Sequence, residues 1–349
     1  MKKIALVYLL FLGGCLKESG IKPNAPTTAP VTKADGWEIS TPSSESVDES
    51  ALATAYQQFF SETDLPHASS LLVVRNGKLI SEAYANSSEG ADELHNVMSC
   101  TKSIVSILFG IAQKQNLIGN INTPVATYFP ELVPDDNAKR RITLRNCLTM
   151  QTGLAFDGGP SSRDLAETGT NSVSFIFDQP VISDTGTAFL YSDFPPHLVN
   201  AVLGKVTGQR VQDFATTALF QPLAINDFKW DATKDGLNYG AFSLFLKPRD
   251  LAKLGQLCIQ NGNWKGTELI PPGWLEEATS KQVSELNYGY FFWLDPTRKA
   301  YAMRGNGGQF VLIAPEKNLV IVYTAFPYSS PELWGNTEKL ISTIYSACD

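Results

Sequence analysis

The sequence predicts an α+β fold in which both ends of the chain build one antiparallel sheet and the middle supplies a mostly helical lobe. Two hairpin signals predict it. Ser70 to Arg75 and Lys78 to Tyr84 are apolar, β-rich runs joined by Asn76-Gly77. Asn-Gly between such runs is a strong hairpin signal, because both residues tolerate the positive φ of a tight turn. Near the other end, Gln309 to Ala314 and Leu319 to Phe326 form a second pair, linked by Pro315-Glu316-Lys317-Asn318. The third observation is the interval between them, about 220 residues of mostly helical or loop-like pattern.

Taken in order, Glu49 to Phe60 has helical spacing, with Leu52, Tyr56, Phe59 and Phe60 on one side. The first hairpin follows, then a helical lobe inserted at about 90–240, then the second hairpin and a helix-like tail from Pro331 to Ala347. A chain that leaves the sheet and returns makes two lobes, and the crevice between them is a common place for a ligand pocket.

Ahead of this folded domain, assigned to 49–349, the chain changes character twice. Lys2 and Lys3 precede the apolar run Ile4 to Leu12, which is short of the ~20 residues a spanning helix needs and fits the core of a signal peptide over 1–14. Leu12-Gly13-Gly14-Cys15 resembles the lipobox of bacterial lipoproteins. That implies diacylation of Cys15, export to the bacterial cell envelope and a membrane partnership through the anchor, at the outer membrane where the host has one, since Leu16 is not Asp. Ordinary cleavage nearby, with Cys15 lost, is the alternative. From 15 to 48, Pro23, Pro26, Pro30 and Pro42 stand among Thr, Ser and Ala without hydrophobic period, the composition of a flexible tether.

Several classes are excluded. The net charge is −7 and no basic run is interleaved with aromatics, which argues against nucleic acid. The three histidines, His67, His95 and His197, lie at no ligand spacing, and no serine sits in G-x-S-x-G, so neither a metal site nor a Ser-His-Asp hydrolase is expected, and no cofactor is called for. His67 and His197 read as loop residues. Besides Cys15 there are Cys100, Cys147, Cys258 and Cys348, which allow three disulfide pairings or four buried thiols.

The chemistry starts at Ser99-Cys100-Thr101-Lys102-Ser103, followed by Ile104, Val105, Ile107, Leu108, Phe109 and Ile111, apolar on nearly all sides, as in a buried helix. Ser99 at its start and Lys102 three residues on share a face. A hydroxyl needs a neighbouring base to become a nucleophile, and a lysine shielded from water has its ammonium form disfavoured and so can act as one. Alone, S-x-x-K is equally an N-cap serine beside a solvated lysine.

Further along come Phe189-Leu190-Tyr191-Ser192-Asp193 after Thr185-Gly186-Thr187, and Gly305-Asn306-Gly307-Gly308-Gln309 leading into a strand. In this order the three segments resemble the S-x-x-K, Y-x-N and K-T-G or H-x-G motifs of the serine β-lactamase and penicillin-binding-protein superfamily, in its class C-related branch of esterases, D-aminopeptidases and 6-aminohexanoate-dimer hydrolases. Phe129-Pro130-Glu131-Leu132, Ile142 through Leu154, Lys247-Pro248-Arg249-Asp250-Leu251, and Asn287-Tyr288-Gly289-Tyr290 with Trp293 are similar to other landmarks of that branch. The resemblance implies a β-lactamase/transpeptidase-like fold and a serine hydrolase acting through an acyl-enzyme on a small ester, amide or peptide-like substrate. Ser99 is then the nucleophile, with Lys102 and Tyr191 moving its proton in an order disputed within the family. The backbone N–H groups of Ser99 and Gln309 form the oxyanion hole, or Gly308 in a register one residue earlier, and Asp193, Asn306, Gly307 and Gly308 line the substrate. Two departures stand out. Asn306 replaces a cation or proton donor that grips a substrate carboxylate, which puts β-lactamase or DD-peptidase activity in doubt unless Arg304 compensates. Asp193 replaces Asn, either to bind a substrate amine or as a structural acceptor. A ligand-binding protein that has lost catalysis is the remaining alternative on this fold.

Overall fold

Asn76 and Gly77 both take left-handed backbone, with φ of 52° and 80°, and the hairpin they close joins β1 (Ala68–Arg75) to β2 (Lys78–Tyr84). This computed structural model describes residues 28–85, 90–133, 135–169, 171–326 and 330–348. The signal segment 1–14 and Cys15 lie outside the described residues.

The first excursion from the sheet begins at β3 (His95–Asn96) and α2 (Cys100–Lys114), after α1 (Glu49–Phe59). It continues through α3 (Asn137–Arg140), α4 (Leu144–Leu148), α5 (Gly159–Glu167), α6 (Ser172–Phe177), α7 (Phe194–Thr207), α8 (Val211–Ala215), β4 (Lys229–Trp230) and β5 (Leu244–Leu246). α9 (Pro248–Ile259), the small hairpin β6 (Asn263–Trp264) and β7 (Thr267–Glu268), and α10 (Pro272–Ala278) lead back to β8 (Trp293–Asp295), β9 (Ala300–Gly305), β10 (Gln309–Ala314), β11 (Leu319–Ala325) and α11 (Trp334–Ser346). The large sheet is six-stranded in the order β2-β1-β11-β10-β9-β8. Both hairpins are where the sequence places them, and β1 pairs β11 antiparallel with Leu72 opposite Val322. The chain ends therefore meet at the centre of the sheet. β8 and β9 carry no comparable signal and were not expected as strands.

Strand alternation sorts the side chains into two cores. Leu71, Val73, Leu312, Ile321 and Tyr323 pack with Leu52, Tyr56 and Phe59 of α1 and with Leu340, Ile341 and Ile344 of α11. Leu72, Val74, Val311, Ile313, Val320 and Val322 face α2 and α9. On α9, a Cβ at Gly255 would lie 2.6 Å from Val320 Cγ1, so glycine there lets the helix settle directly on the sheet. α2 is buried from Cys100 to Ala112, which makes it the axle between the sheet and the helical lobe.

Two expectations are corrected. The tether reading of 15–48 fails from Thr28 onward. Ile39 bridges Leu79 of β2, and Arg249 of α9, 3% exposed, binds Glu82 Oε2 (2.8 Å), Asp35 Oδ2 (2.8 Å) and the carbonyl of Val31 (2.7 Å). A Pro-rich segment cannot build its own core, but a buried guanidinium must have its donors satisfied, and this segment supplies two of the acceptors. Likewise His197 is no loop residue. It is fully buried in α7, its Nε2 3.0 Å from Ser172 Oγ while Nδ1 accepts the Gly240 N–H at 3.4 Å. Burial pushes its pKa down to about 4, against the pull of Asp235 and Asp193. Cys100, Cys147, Cys258 and Cys348 are all buried and none is joined in a disulfide, so none of the three pairings forms.

Candidate active site

The turn into α2 is built tightly. Val97 N–H donates to Leu244 O (2.9 Å), and Met98 N–H to Asn96 Oδ1 (2.9 Å). Met98 sits at φ 49°, a left-handed conformation that costs an unbranched residue about 1–2 kcal/mol and that the surrounding bonds impose. The end of β9 closes over it: a Cβ at Gly305 would lie 2.5 Å from Val97 O and 3.0 Å from Met98 Cβ.

Ser99 follows as the N-cap of α2, yet its side chain makes no capping bond. A serine in this position ordinarily spends its oxygen on the first-turn N–H groups. Here Oγ instead lies 2.8 Å from Lys102 Nζ. Lys102 is 1% exposed, and its Nζ donates also to Asp193 Oδ1 (2.6 Å) and Ala241 O (3.1 Å). Two of its three donor directions are thus occupied by fixed acceptors, which aims the third at the serine. Ala241 reaches the lysine because Gly240 packs against α7, where a Cβ would be 2.2 Å from Pro196 O.

The charge state of Lys102 differs from the one anticipated. Burial, the largest single effect, pushes its pKa down, but Asp193 and then Tyr191 attract the proton strongly enough that the net shift is upward. The lysine is a desolvated ammonium rather than a desolvated amine. The reason is the carboxylate at position 193, a full charge where an amide would supply only a dipole.

Asp193 itself is not turned toward a substrate amine. Oδ1 is held by Lys102, and Oδ2 accepts a hydrogen bond from Ser162 of α5 at 2.5 Å, so the structural-acceptor alternative is the one observed. Tyr191 is half-buried, its ring centroid 5.0 Å from Lys102 Nζ and 5.5 Å from the Trp293 ring. Tyr288 packs edge-on against Phe189 at 5.2 Å and Trp293 at 4.9 Å, completing an aromatic wall on that side.

The third segment is the turn between β9 and β10. Gly307 and Gly308 are buried with φ of 78° and 97°, while Asn306 is exposed. Gln309 opens β10 with its side chain locked on the backbone of Ala325, Nε2 donating to its carbonyl at 2.8 Å. Its own carbonyl lies 3.9 Å from Cys100 Sγ, which brings the strand end against the start of α2. Arg304 does not compensate for Asn306. It stacks over Phe310 at 4.7 Å and pairs with Glu338 of α11, on the opposite face of the sheet.

Ser99, Lys102, Tyr191 and Asp193 therefore converge, with Gln309 against the start of α2 and Asn306 exposed in the turn that precedes it. Ser162 and the Ala241 carbonyl were missed. Ser162 lies in a polar stretch 31 residues before its partner, and no local pattern marks a backbone carbonyl.

The chain matches the β-lactamase family over residues 55–327 of 349. It belongs to the β-lactamase family. Among its relatives is the 6-aminohexanoate-dimer hydrolase of Paenarthrobacter ureafaciens, 24% identical over 270 residues, which cover 72% of this chain. The chain spans 66% of that relative's length. Solved structures share the fold: a penicillin-binding-protein homologue from Caulobacter crescentus superposes with a TM-score of 0.70 at 15% identity, covering 85% of this chain and 97% of the other. FmtA of Staphylococcus aureus gives 0.67 at 18%, covering 90% and 92%. Within the family framework, the three segments singled out in the sequence are the three that meet here.

Proposed function

We propose that this chain is a serine hydrolase that cleaves an ester or amide bond of a small substrate through an acyl-enzyme at Ser99. One observation carries the reading: the only hydrogen bond that Ser99 Oγ makes among the described residues is to Lys102 Nζ at 2.8 Å, although the residue sits where a structural serine would cap the helix. An N-cap serine beside a solvated lysine has no use for this arrangement, and neither does a binding protein that has lost catalysis.

In this mechanism Ser99 Oγ attacks the carbonyl carbon and its proton is relayed through the Tyr191 hydroxyl toward the leaving group, the Tyr191 ring lying 5.0 Å from Lys102 Nζ. The Lys102 ammonium stabilises negative charge on both oxygens throughout. The tetrahedral oxyanion is received by the backbone N–H groups of Ser99 and Gln309, one such donor being worth about 2.7–4 kcal/mol in the barrier. As the adduct collapses, Tyr191 returns the proton to the leaving oxygen or nitrogen, and water repeats the sequence to release the acid.

The substrate carries no carboxylate at the third segment. Asn306 has no charge, Arg304 is committed to Glu338 behind the sheet, and Lys102 is neutralised by Asp193. Amide cleavage of the kind named for the 6-aminohexanoate-dimer hydrolase fits this site better than β-lactam turnover. Assays with p-nitrophenyl acetate, p-nitroanilide amides and benzylpenicillin test the order: ester and amide turnover well above that of penicillin supports it, and penicillin as the best substrate overturns it.

Export and lipidation at Cys15 complete the proposal, resting on the basic start, the apolar run and the Gly13-Gly14-Cys15 junction. Metabolic labelling with a tagged fatty acid that persists in the Cys15→Ala variant counts against it.

A further inference from the structure

We infer that Ser162 is a positioning residue for the reaction at Ser99, acting through Asp193; the inference rests on the reading of Ser99 as nucleophile given above. The Ser162 hydroxyl has one proton and two acceptors within reach, Asp193 Oδ2 at 2.5 Å and Gly158 O at 3.1 Å. The carboxylate is nearer and charged, so the proton goes there, as a charge-assisted bond. This bond decides which way the Asp193 carboxylate faces. Asp193 stands at the N-cap of α7 but makes no capping bond, so nothing on its own helix holds it. With Oδ2 tied to α5, Oδ1 is left directed at Lys102 Nζ.

A line of contacts from three helices results: Ser162 on α5, Asp193 at the start of α7, Lys102 on α2 and then Ser99. α5 is itself moored at its beginning, where Asp157 Oδ1 accepts the Ser161 N–H at 2.9 Å, so Ser162 is a fixed point and not a surface hydroxyl that happens to be near. The titratable groups facing Asp193 are Lys102 from α2, which is charged, and, from farther off, His197 from α7, which burial keeps neutral. Tyr191, two residues earlier, faces the same ammonium.

Removing the Ser162 hydroxyl frees Asp193 to rotate, which weakens the aim of Lys102 at Ser99 and its hold on the extra proton. The test uses the second-order rate of labelling by a fluorophosphonate, a reaction in which Ser99 Oγ forms a bond to phosphorus and fluoride leaves, together with p-nitrophenyl acetate turnover across pH. Ser162→Ala is expected to lower the labelling rate and kcat about tenfold with little change in KM, in line with the loss of one charge-assisted bond. Ser162→Thr, which keeps the hydroxyl, is expected to restore the rate to within about twofold. In Ser162→Ala the alkaline limb of the profile moves to lower pH, because Lys102 gives up its proton more readily.

Unchanged rates in Ser162→Ala overturn the inference. So does a loss shared equally by the alanine and threonine variants, or one that follows a fall in melting temperature with the alkaline limb in place. If the unaltered protein takes no label at all, it is the serine-hydrolase reading that fails.

Discussion

Asp193→Asn isolates the feature that sets this site apart from an amide-containing one. The substitution keeps the shape and one acceptor oxygen and removes the charge. Asp193 Oδ1 lies 2.6 Å from Lys102 Nζ, with side chains 16% and 1% exposed, so solvent screens the pair little. Deleting one partner of a buried ion pair costs about 3–5 kcal/mol, because the other charge is left uncompensated. The retained amide oxygen offsets about 1–2 kcal/mol of this, leaving a loss of about 2–3 kcal/mol at neutral pH. For a chain of this size that lowers Tm by about 4–10 °C. The sign of its pH dependence is fixed as well. In the parent protein Lys102 has a folded pKa above its ordinary 10.5, so its contribution is complete at neutral pH and is lost only as the pH rises through that higher value. In the variant the carboxylate is gone while burial, the largest single effect on this group, still opposes its charge; the folded pKa is then expected below 10.5, and the unfolded chain binds more protons than the folded one in between. The stability of the variant then increases with pH. Melting followed by circular dichroism at pH 7 and pH 9.5 should show the gap between parent and variant narrowing at the higher pH. A constant gap, or a variant as stable as the parent at both values, refutes the assignment of Lys102 as an ammonium held by Asp193.

Two other substitutions probe the surroundings of the site. Gly305→Ala places a methyl group 2.5 Å from Val97 O and 3.0 Å from Met98 Cβ; an overpacking cost of about 1–3 kcal/mol is expected, with slower fluorophosphonate labelling, and normal labelling and melting would contradict the close approach of β9 to the nucleophile turn. His197 has a folded pKa of about 4 against an ordinary 6.5, so the unfolded chain takes up the proton first and stability falls as the pH drops through that window, by about 3 kcal/mol. His197→Gln is expected to flatten that part of an acid denaturation curve, leaving the share of His95, which burial also holds near 4; an acid limb as steep as the parent's rules His197 out as its source.

Much of this was legible in the sequence because it is local. Asn76-Gly77 announced its hairpin, and Gln309 to Ala314 with Leu319 to Ala325 reads as β from its apolar run alone. Ser99 and Lys102 share a helix face by spacing. What was not legible depends on partners far away in the chain. β8 has only three residues and β9 breaks its apolar run at Arg304-Gly305, so neither registers, and the third segment, read as the entry to a strand, is that entry and the exit from β9 as well. The stretch from Thr28 has the composition of a free tether and is held by partners far along the chain, its backbone bridging β2 at Ile39 and its acceptors satisfying the buried Arg249 of α9. Lys102 shows the same limit at the site. Its burial was foreseen, and burial alone argues for a neutral base. The opposite charge state comes from Asp193, fixed by Ser162 on a third helix, and no window along the chain contains all three.

Intact-mass analysis after incubation with a fluorophosphonate, on the protein and on its Ser99→Ala variant, tests the central claim most directly. The account predicts a single adduct on the protein and none on the folded variant. An adduct that survives Ser99→Ala, or its absence from the folded parent protein, would contradict the assignment of Ser99 as the nucleophile.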